Sequence, residues 1–283
     1  MVDLVVNAAF AAVEVRGAQA APFLHSQLTQ DVEALEVGTA ARTLLLEPNG
    51  HMVAVAELAR LEPEAFALVV HPSLADALTG RLSRFLIRTK AVISPAYPVD
   101  LAAGAKGIPS ALGPGLEWVK SEGVDPGEAV AAAVRMLGGV PALGLDIEAG
   151  ALPNALGDLS PYASFTKGCY TGQELVERVE SRKAAPPKRL FAVSASEGRV
   201  APGDELFSQH DPVGRVTTVA ELSAEQAKSL GAAFTGYDPS RRLLAWCVLS
   251  RNRHPSEVER AGSAGAEERR VRLAELRPSK EAR

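Results

Sequence analysis

The chain is poor in several things, and each shortage closes a class of function. Only two cysteines occur in 283 residues, Cys169 and Cys247, so no disulfide framework exists and the chain reads as one of a reducing, cytoplasmic compartment. The five histidines, at positions 25, 51, 71, 210 and 254, show no ligand spacing with the cysteines or with one another, and no built-in metal site is expected. No apolar run approaches the ~18 residues of a membrane span, and Asp3, with no basic segment before Phe10, does not open a signal peptide. Excess positive charge is also lacking: 30 Lys and Arg against 34 Asp and Glu give a net charge of −4. A direct nucleic-acid binder is therefore not expected.

What is present is ordinary globular composition, 47% hydrophobic and 23% charged, in a chain long enough for two or three domains. Phe10 to Arg16 alternates as a strand. After Gly17, the spacing of Phe23, Leu24, Leu28, Val32 and Leu35 predicts a helix that stops before Gly38. Two apolar runs, Arg42 to Glu47 and Met52 to Leu58, flank Pro48-Asn49-Gly50, a hairpin signal. Ala65 to His71 is a third strand. Pro72 then opens an amphipathic helix whose polar face carries Asp76, Arg81 and Arg84, and Lys90 to Ser94 reads as another strand. Helices and antiparallel strands alternate without the rhythm of a parallel sheet, which favours an α+β fold.

Residues 95 to 124, rich in Gly and Pro, carry no clear pattern. Asp125-Pro126-Gly127-Glu128 predicts a helix start and Gly138-Gly139 its end, and Val140 to Ser164 reads mostly as loop. Pro186-Pro187 marks a linker. Beyond it the runs Arg189 to Val193, Val213 to Val219 and Leu243 to Leu249 predict a small β-barrel or sandwich, with Cys247 in its core. The last 34 residues hold nine basic and six acidic side chains and read as a solvated or disordered tail, to which Val271 and Leu273 add one last strand. Residues 1–185, 186–250 and 251–283 are thus the expected units, the second extended by a strand near 270–276.

The stretch Lys167-Gly168-Cys169-Tyr170-Thr171-Gly172-Gln173-Glu174, continuing through Leu175, Val176, Glu177 and Arg178, carries the densest local information. Thr171 and Glu174 have capping-box spacing, Tyr170 and Leu175 that of a hydrophobic staple, and Glu174 and Arg178 stand at i, i+4. A loop turning into a helix would hold Cys169 and Lys167 before a positive helix terminus, where a thiol ionises more easily. A well-made turn around a core cysteine would have the same pattern.

These eight contiguous residues resemble the signature of the YgfZ-type folate-binding proteins, relatives of the glycine-cleavage T-protein, an aminomethyltransferase. Weaker similarity runs through Val15 to Ala18, Gln27 to Val32, Leu44 to Met52, Arg88 to Lys90, and Arg135 to Pro141 with Pro153. The resemblance implies a three-domain ring, two interleaved α+β domains and a C-terminal β-barrel, around an opening that holds tetrahydrofolate or a derivative. On it, Lys167, Arg135 and Arg178 are expected to face folate carboxylates or acidic groups of the site, and Cys169 to lie beside the pterin as a reactive thiol. Gly168, Tyr170, Thr171, Gly172, Gln173, Glu174 and Asn154 complete the expected site.

The chain departs from the transferase pattern. Val53 and Ala54 stand where the aminomethyltransferases carry paired aspartates, Cys169 where they carry an acid, and Leu137 and Asn154 where a pterin-binding carboxylate is common in relatives. Neither Val53 nor Ala54 can hold a proton, so glycine-cleavage chemistry is not expected. The resemblance instead implies an accessory factor for iron–sulfur cluster assembly or repair, supporting enzymes such as those that thiolate tRNA, with iron–sulfur assembly proteins or client enzymes as partners. A tetrahydrofolate-dependent one-carbon transferase or demethylase using Cys169, and an enzyme acting directly on tRNA, are the alternatives.

Overall fold

A computed structural model describes residues 4–123, 125, 127–182, 185–195, 200–208, 211–260 and 273–276. The chain is a mixed α+β protein of two antiparallel sheets. The first holds eight strands: β1 (Leu4–Arg16), β2 (Ala40–Leu46), β3 (Met52–Glu62), β4 (Ala65–Val70), β5 (Val92–Ile93), β6 (Tyr97–Ala103), β7 (Ile108–Pro109) and β8 (Leu116–Lys120). Their order is β2-β3-β4-β1-β6-β8-β7, with β5 against β1. The hairpin falls where Pro-Asn-Gly predicts it, with Gly50 at φ +85°. Strand β4 is buried along its whole length, as suits an apolar run held between β1 and β3.

Helix α1 (Ala20–Gln27) is shorter than the apolar spacing predicts, because its chain turns extended at Leu28. Helix α2 (Ala75–Ser83) follows one turn of 3-10 helix begun by Pro72, but Arg81, expected on its polar face, is only 2% exposed. Helix α3 runs Glu128–Gly138. The expected Asp125 cap is not made: the Asp125 carboxylate accepts from Gly127 N within the preceding turn. Its end is as predicted, with Gly139 at φ +65° and Val140 N donating to Arg135 O at 3.0 Å, the geometry of a Schellman stop. Being mostly Ala and Val, α3 is slim enough to lie between the sheets, against β1, β11 and β12.

Helix α4 (Gln173–Arg182) leads toward the second sheet, formed by β9 (Lys188–Ala195), β10 (Glu205–Ser208), β11 (Asp211–Glu221), β12 (Leu243–Ser250), β13 (Glu259–Arg260) and β14 (Leu273–Glu275). The order is β13-β10-β11-β12-β9-β14. Among the described residues the pairing runs from one edge to the other without closing, where a barrel was expected. Helix α5 (Ala224–Ala233), absent from the sequence reading, starts with a complete capping box of Ser223 and Gln226. Strand β12 alternates between two cores: Leu244, Trp246 and Val248 join the large core shared with the first sheet, while Ala245, Cys247 and Leu249 fill a smaller one behind. Burial pushes the Cys247 thiol up to about 12, as its reading as a core residue requires. Val271 and most of the charged tail lie outside the described residues, and among those described no helix is long and apolar enough to cross a membrane.

Candidate functional site

The signature loop is built as a clasp. Lys167 Nζ donates to three backbone carbonyls, His25 O at 2.5 Å, Leu28 O at 2.8 Å and Gln30 O at 2.9 Å. Those three bonds use every donor of an ammonium group, and they tie the last turn of α1, through His25 O, to the Leu28 cap and the Gln30 carbonyl beyond it. Burial pushes Lys167 down to about 8, against the pull of Asp31 and Glu33. Lys167 is thus a structural cation that stops α1, and it does not face a ligand as expected. Its ammonium also stands 5.0 Å from the ring centre of the buried Tyr170.

Thr171 does not cap α4. Its N–H donates to Ser26 O at 3.0 Å, and its Oγ1 lies 3.4 Å from Gln27 Oε1, which in turn accepts from Arg81 Nη1 at 3.2 Å. The helix is entered instead through a turn in which Gln173 N donates to Tyr170 O and Gly172 takes φ +84°, a conformation that favours glycine. A Cβ on Gly172 would fall 2.8 Å from Glu47 O and 3.2 Å from Gly50 Cα, so the loop sits glycine to glycine on the β2–β3 hairpin. Gln173 pairs with Glu177 rather than Glu174 with Arg178, and both Glu174 and Arg178 are exposed.

The clasp leaves Gly168 and Cys169 exposed at its tip. His25 is the imidazole beside it: its Nε2 lies 3.9 Å from where a Gly168 Cβ would be, and its Nδ1 is 3.4 Å from Asp31 Oδ1. The sequence reading missed His25, whose only signal was its place near the end of α1.

Arg135, expected to face an anionic ligand, is fully buried and committed elsewhere. Its Nε and Nη2 meet Asp146 Oδ2 and Oδ1 at 2.8 and 3.2 Å, and Asp146 also accepts from Ala142 N and Thr218 Oγ1, each at 2.7 Å. This fork joins α3, the following loop and β11. Asn154 is also buried, and lines a separate cleft beside α4 with Arg189 and Arg253. The expected site residues therefore do not converge.

What does converge lies between the sheets. A cavity of about 370 Å³ is bounded by Arg42 of β2, Leu112, Met136 and Leu137 near α3, Phe234, Tyr237 and Arg241 after α5, and Glu275 of β14. Arg42 is 8% exposed, its Nε is buried without a hydrogen-bond partner, and no carboxylate lies within ion-pair distance of it among the described residues. Glu57 stands opposite it across the hairpin. Burial raises the Glu57 pKa, while Ala111 N and Ser110 Oγ donate to the carboxylate and the Arg42 charge helps them hold it. At the mouth, Arg241 Nε is 3.8 Å from Asp238, and Glu275 is 3.1 Å from His254. The volume falls in the ~300–1,000 Å³ range of small-molecule sites, and a buried guanidinium whose Nε lacks a hydrogen-bond partner is a recognition element for an anion or a carbonyl. Of the residues singled out in the sequence for the site, Leu137 alone lines this cavity. Arg42 was missed, although a lone cation in the apolar run Ala40–Leu46 opposite Glu57 was a usable signal.

No family model matches the chain. An uncharacterized protein of Haemophilus influenzae is 26% identical over 234 residues, which cover 74% of this chain and 81% of that protein. Among solved structures, the glycine cleavage system aminomethyltransferase T of Bartonella henselae superimposes with a TM-score of 0.65, covering 95% of this chain and 83% of its own at 16% identity. At that identity the likeness is one of fold, and the fold is of the aminomethyltransferase type.

Proposed function

We propose that the chain is a YgfZ-type folate-binding accessory protein, acting in iron–sulfur cluster assembly or repair for other enzymes, among them those that thiolate tRNA. The observation that carries the folate part is the cavity between the sheets, with the buried Arg42, whose Nε has no hydrogen-bond partner, in its wall. On the ring reading, the junction between the sheets is where a central opening is expected. A reduced folate fits its chemistry: Leu112, Met136 and Tyr237 offer apolar contact for a ring system, Arg42 and Arg241 meet carboxylates or the ring carbonyl, and Glu275 can accept from the ring amino group.

The accessory role rests on the signature resemblance and on the pinned, exposed thiol. One cysteine supplies one of the about four ligands a cluster needs, so Cys169 acts on a cluster together with a partner protein in the cytoplasm. The one-carbon transferase reading is less well supported. Its replacement for the missing acid, Cys169, does not line the cavity, and Ala54 is buried where a reacting carboxylate would be needed.

Calorimetric titration of tetrahydrofolate tests the proposal. Wild type is expected to bind, Arg42→Met to weaken binding at least about tenfold through loss of a charge-assisted contact, and Cys169→Ala to bind as wild type does. Absence of binding to wild type would remove the folate role. The accessory role is checked separately, by restoring iron–sulfur enzyme activity to cells lacking the gene: Cys169→Ala that restores it fully would overturn the assigned thiol.

A further inference from the structure

A second cleft, of about 320 Å³, lies between the C-terminal half of α4, the segment around Asn154 to Asp158, and the entrance to the second sheet. Three arginines line it, Arg189, Arg251 and Arg253, and none of them is paired with a carboxylate among the described residues, although Arg253 Nη1 donates to Ser208 Oγ at 3.3 Å. Arg189 belongs to β9, and Arg251 and Arg253 to the turn that follows β12. Arg189 lies 4.8 Å from the ring centre of Phe191. Gly157, at φ +89°, makes room for it, since a Cβ there would stand 2.5 Å from the guanidinium. Arg251 and Arg253 flank Asn252, which takes φ +63° in a turn closed by Arg253 N to Ser250 O, and Arg251 N donates to Pro187 O at 2.9 Å.

Arginines brought to one concavity by two separate segments, β9 and the turn after β12, suit a phosphate oxyanion. Asp158 lines the same cleft; it accepts from Ser160 N and Oγ, one bond on each carboxylate oxygen, which leaves lone pairs on both. It opposes a continuous polyanion such as a nucleic-acid backbone, and it can accept from a hydroxyl or amino group next to a phosphate. We propose that this cleft binds a small phosphate ester whose remaining groups are hydrogen-bond donors, at a site separate from the cavity between the sheets and independent of the folate reading.

The test is calorimetric titration of inorganic pyrophosphate and of adenosine 5′-monophosphate into the full-length chain, with a single-stranded RNA oligomer as a third arm. Saturable one-to-one binding of the small phosphates is expected. Arg189→Ala and Arg251→Ala should each weaken it about tenfold or more. Arg189→Lys, which keeps the charge but loses the fork, should resemble Arg189→Ala, while Arg241→Ala in the other cavity should bind as wild type does. Thermal melts confirm that each variant is folded. No saturable binding at about 5 mM phosphate ligand, a weakness beyond any ordinary metabolite site, would overturn the proposal. So would Arg189→Lys binding like wild type, or RNA binding more tightly than either small phosphate.

Discussion

Replacing Asp146 by Ala should be among the most damaging single changes in the chain. Asp146 accepts four hydrogen bonds from Arg135, Ala142 N and Thr218, and both it and Arg135 are fully buried. Without it, the Arg135 guanidinium keeps only Glu128 at 3.4 Å, from a side chain 70% exposed. Removing one partner of a buried pair costs about 3–5 kcal/mol, because the other charge stays in the interior uncompensated. That is a large share of the about 5–15 kcal/mol that ordinarily stabilises a domain. Thr218→Ala removes one bond to a charged group and should cost about 1.5 kcal/mol. The double variant Arg135→Leu, Asp146→Ala removes both charges, and should be less destabilised than Asp146→Ala alone. Urea unfolding followed by circular dichroism reads all three, with the Asp146→Ala midpoint lowered by roughly 1 M or more. If Asp146→Ala falls within about 1 kcal/mol of wild type, well below what an uncompensated buried charge costs, the fork is not structural. If folded Arg135→Leu loses tetrahydrofolate binding, Arg135 faces the ligand after all.

Lys167→Met should leave the tetrahydrofolate affinity of the folded protein unchanged. Lys167 is pushed from 10.5 to about 8 by burial, so between those pH values the unfolded chain holds a proton that the folded chain has lost, and wild-type stability gains on the variant as pH rises through that window; a difference in melting that is constant or shrinks from pH 7 to alkaline pH refutes it. Iodoacetamide should alkylate Cys169 alone in the native protein and Cys247 only after unfolding, since the second thiol is 0% exposed and shifted up to about 12; mass spectrometry of native and denatured samples decides it. Gly172→Ala should cost about 1–3 kcal/mol, from the strain of φ +84° and the approach of the new Cβ to Glu47 O, and an unchanged unfolding midpoint would show that the clasp does not depend on this glycine.

The parts legible in the sequence are those whose causes are local. The β2–β3 hairpin needs only Pro48-Asn49-Gly50 and two apolar flanks, and the end of α3 needs only Gly138-Gly139. Cys247 is legible because its neighbours in the strand are apolar. The α5 capping box of Ser223 and Gln226 was equally local and went unused. The strands between residues 97 and 120 were hidden because their turns are crowded with Gly and Pro, and because β6, which joins them to the sheet, pairs with β1 some 90 residues away.

The site was misread for a related reason, which is that a charge in a sequence does not announce its partner. Arg81 looks solvent-facing on α2 until Gln27 and Glu47 are brought beside it. Lys167 looks like a ligand cation until three carbonyls from residues 25 to 30 surround it, and these same contacts explain why α1 ends early despite the apolar spacing that runs on to Leu35. The dense signature therefore encodes a junction: it pins α1 and the hairpin together and leaves a thiol at the surface. Arg42 makes no ion pair among the described residues, although Glu57 faces it across the hairpin, and its Nε is buried without a hydrogen-bond partner. A charge held by an ion pair or by a full set of hydrogen bonds within the fold is structural, as Arg135 is on Asp146, and a buried one with neither marks where a ligand's chemistry is expected. By that criterion the functional weight of this chain shifts from Lys167 and Arg135 to Arg42, with Cys169 as a separate, outward-facing group.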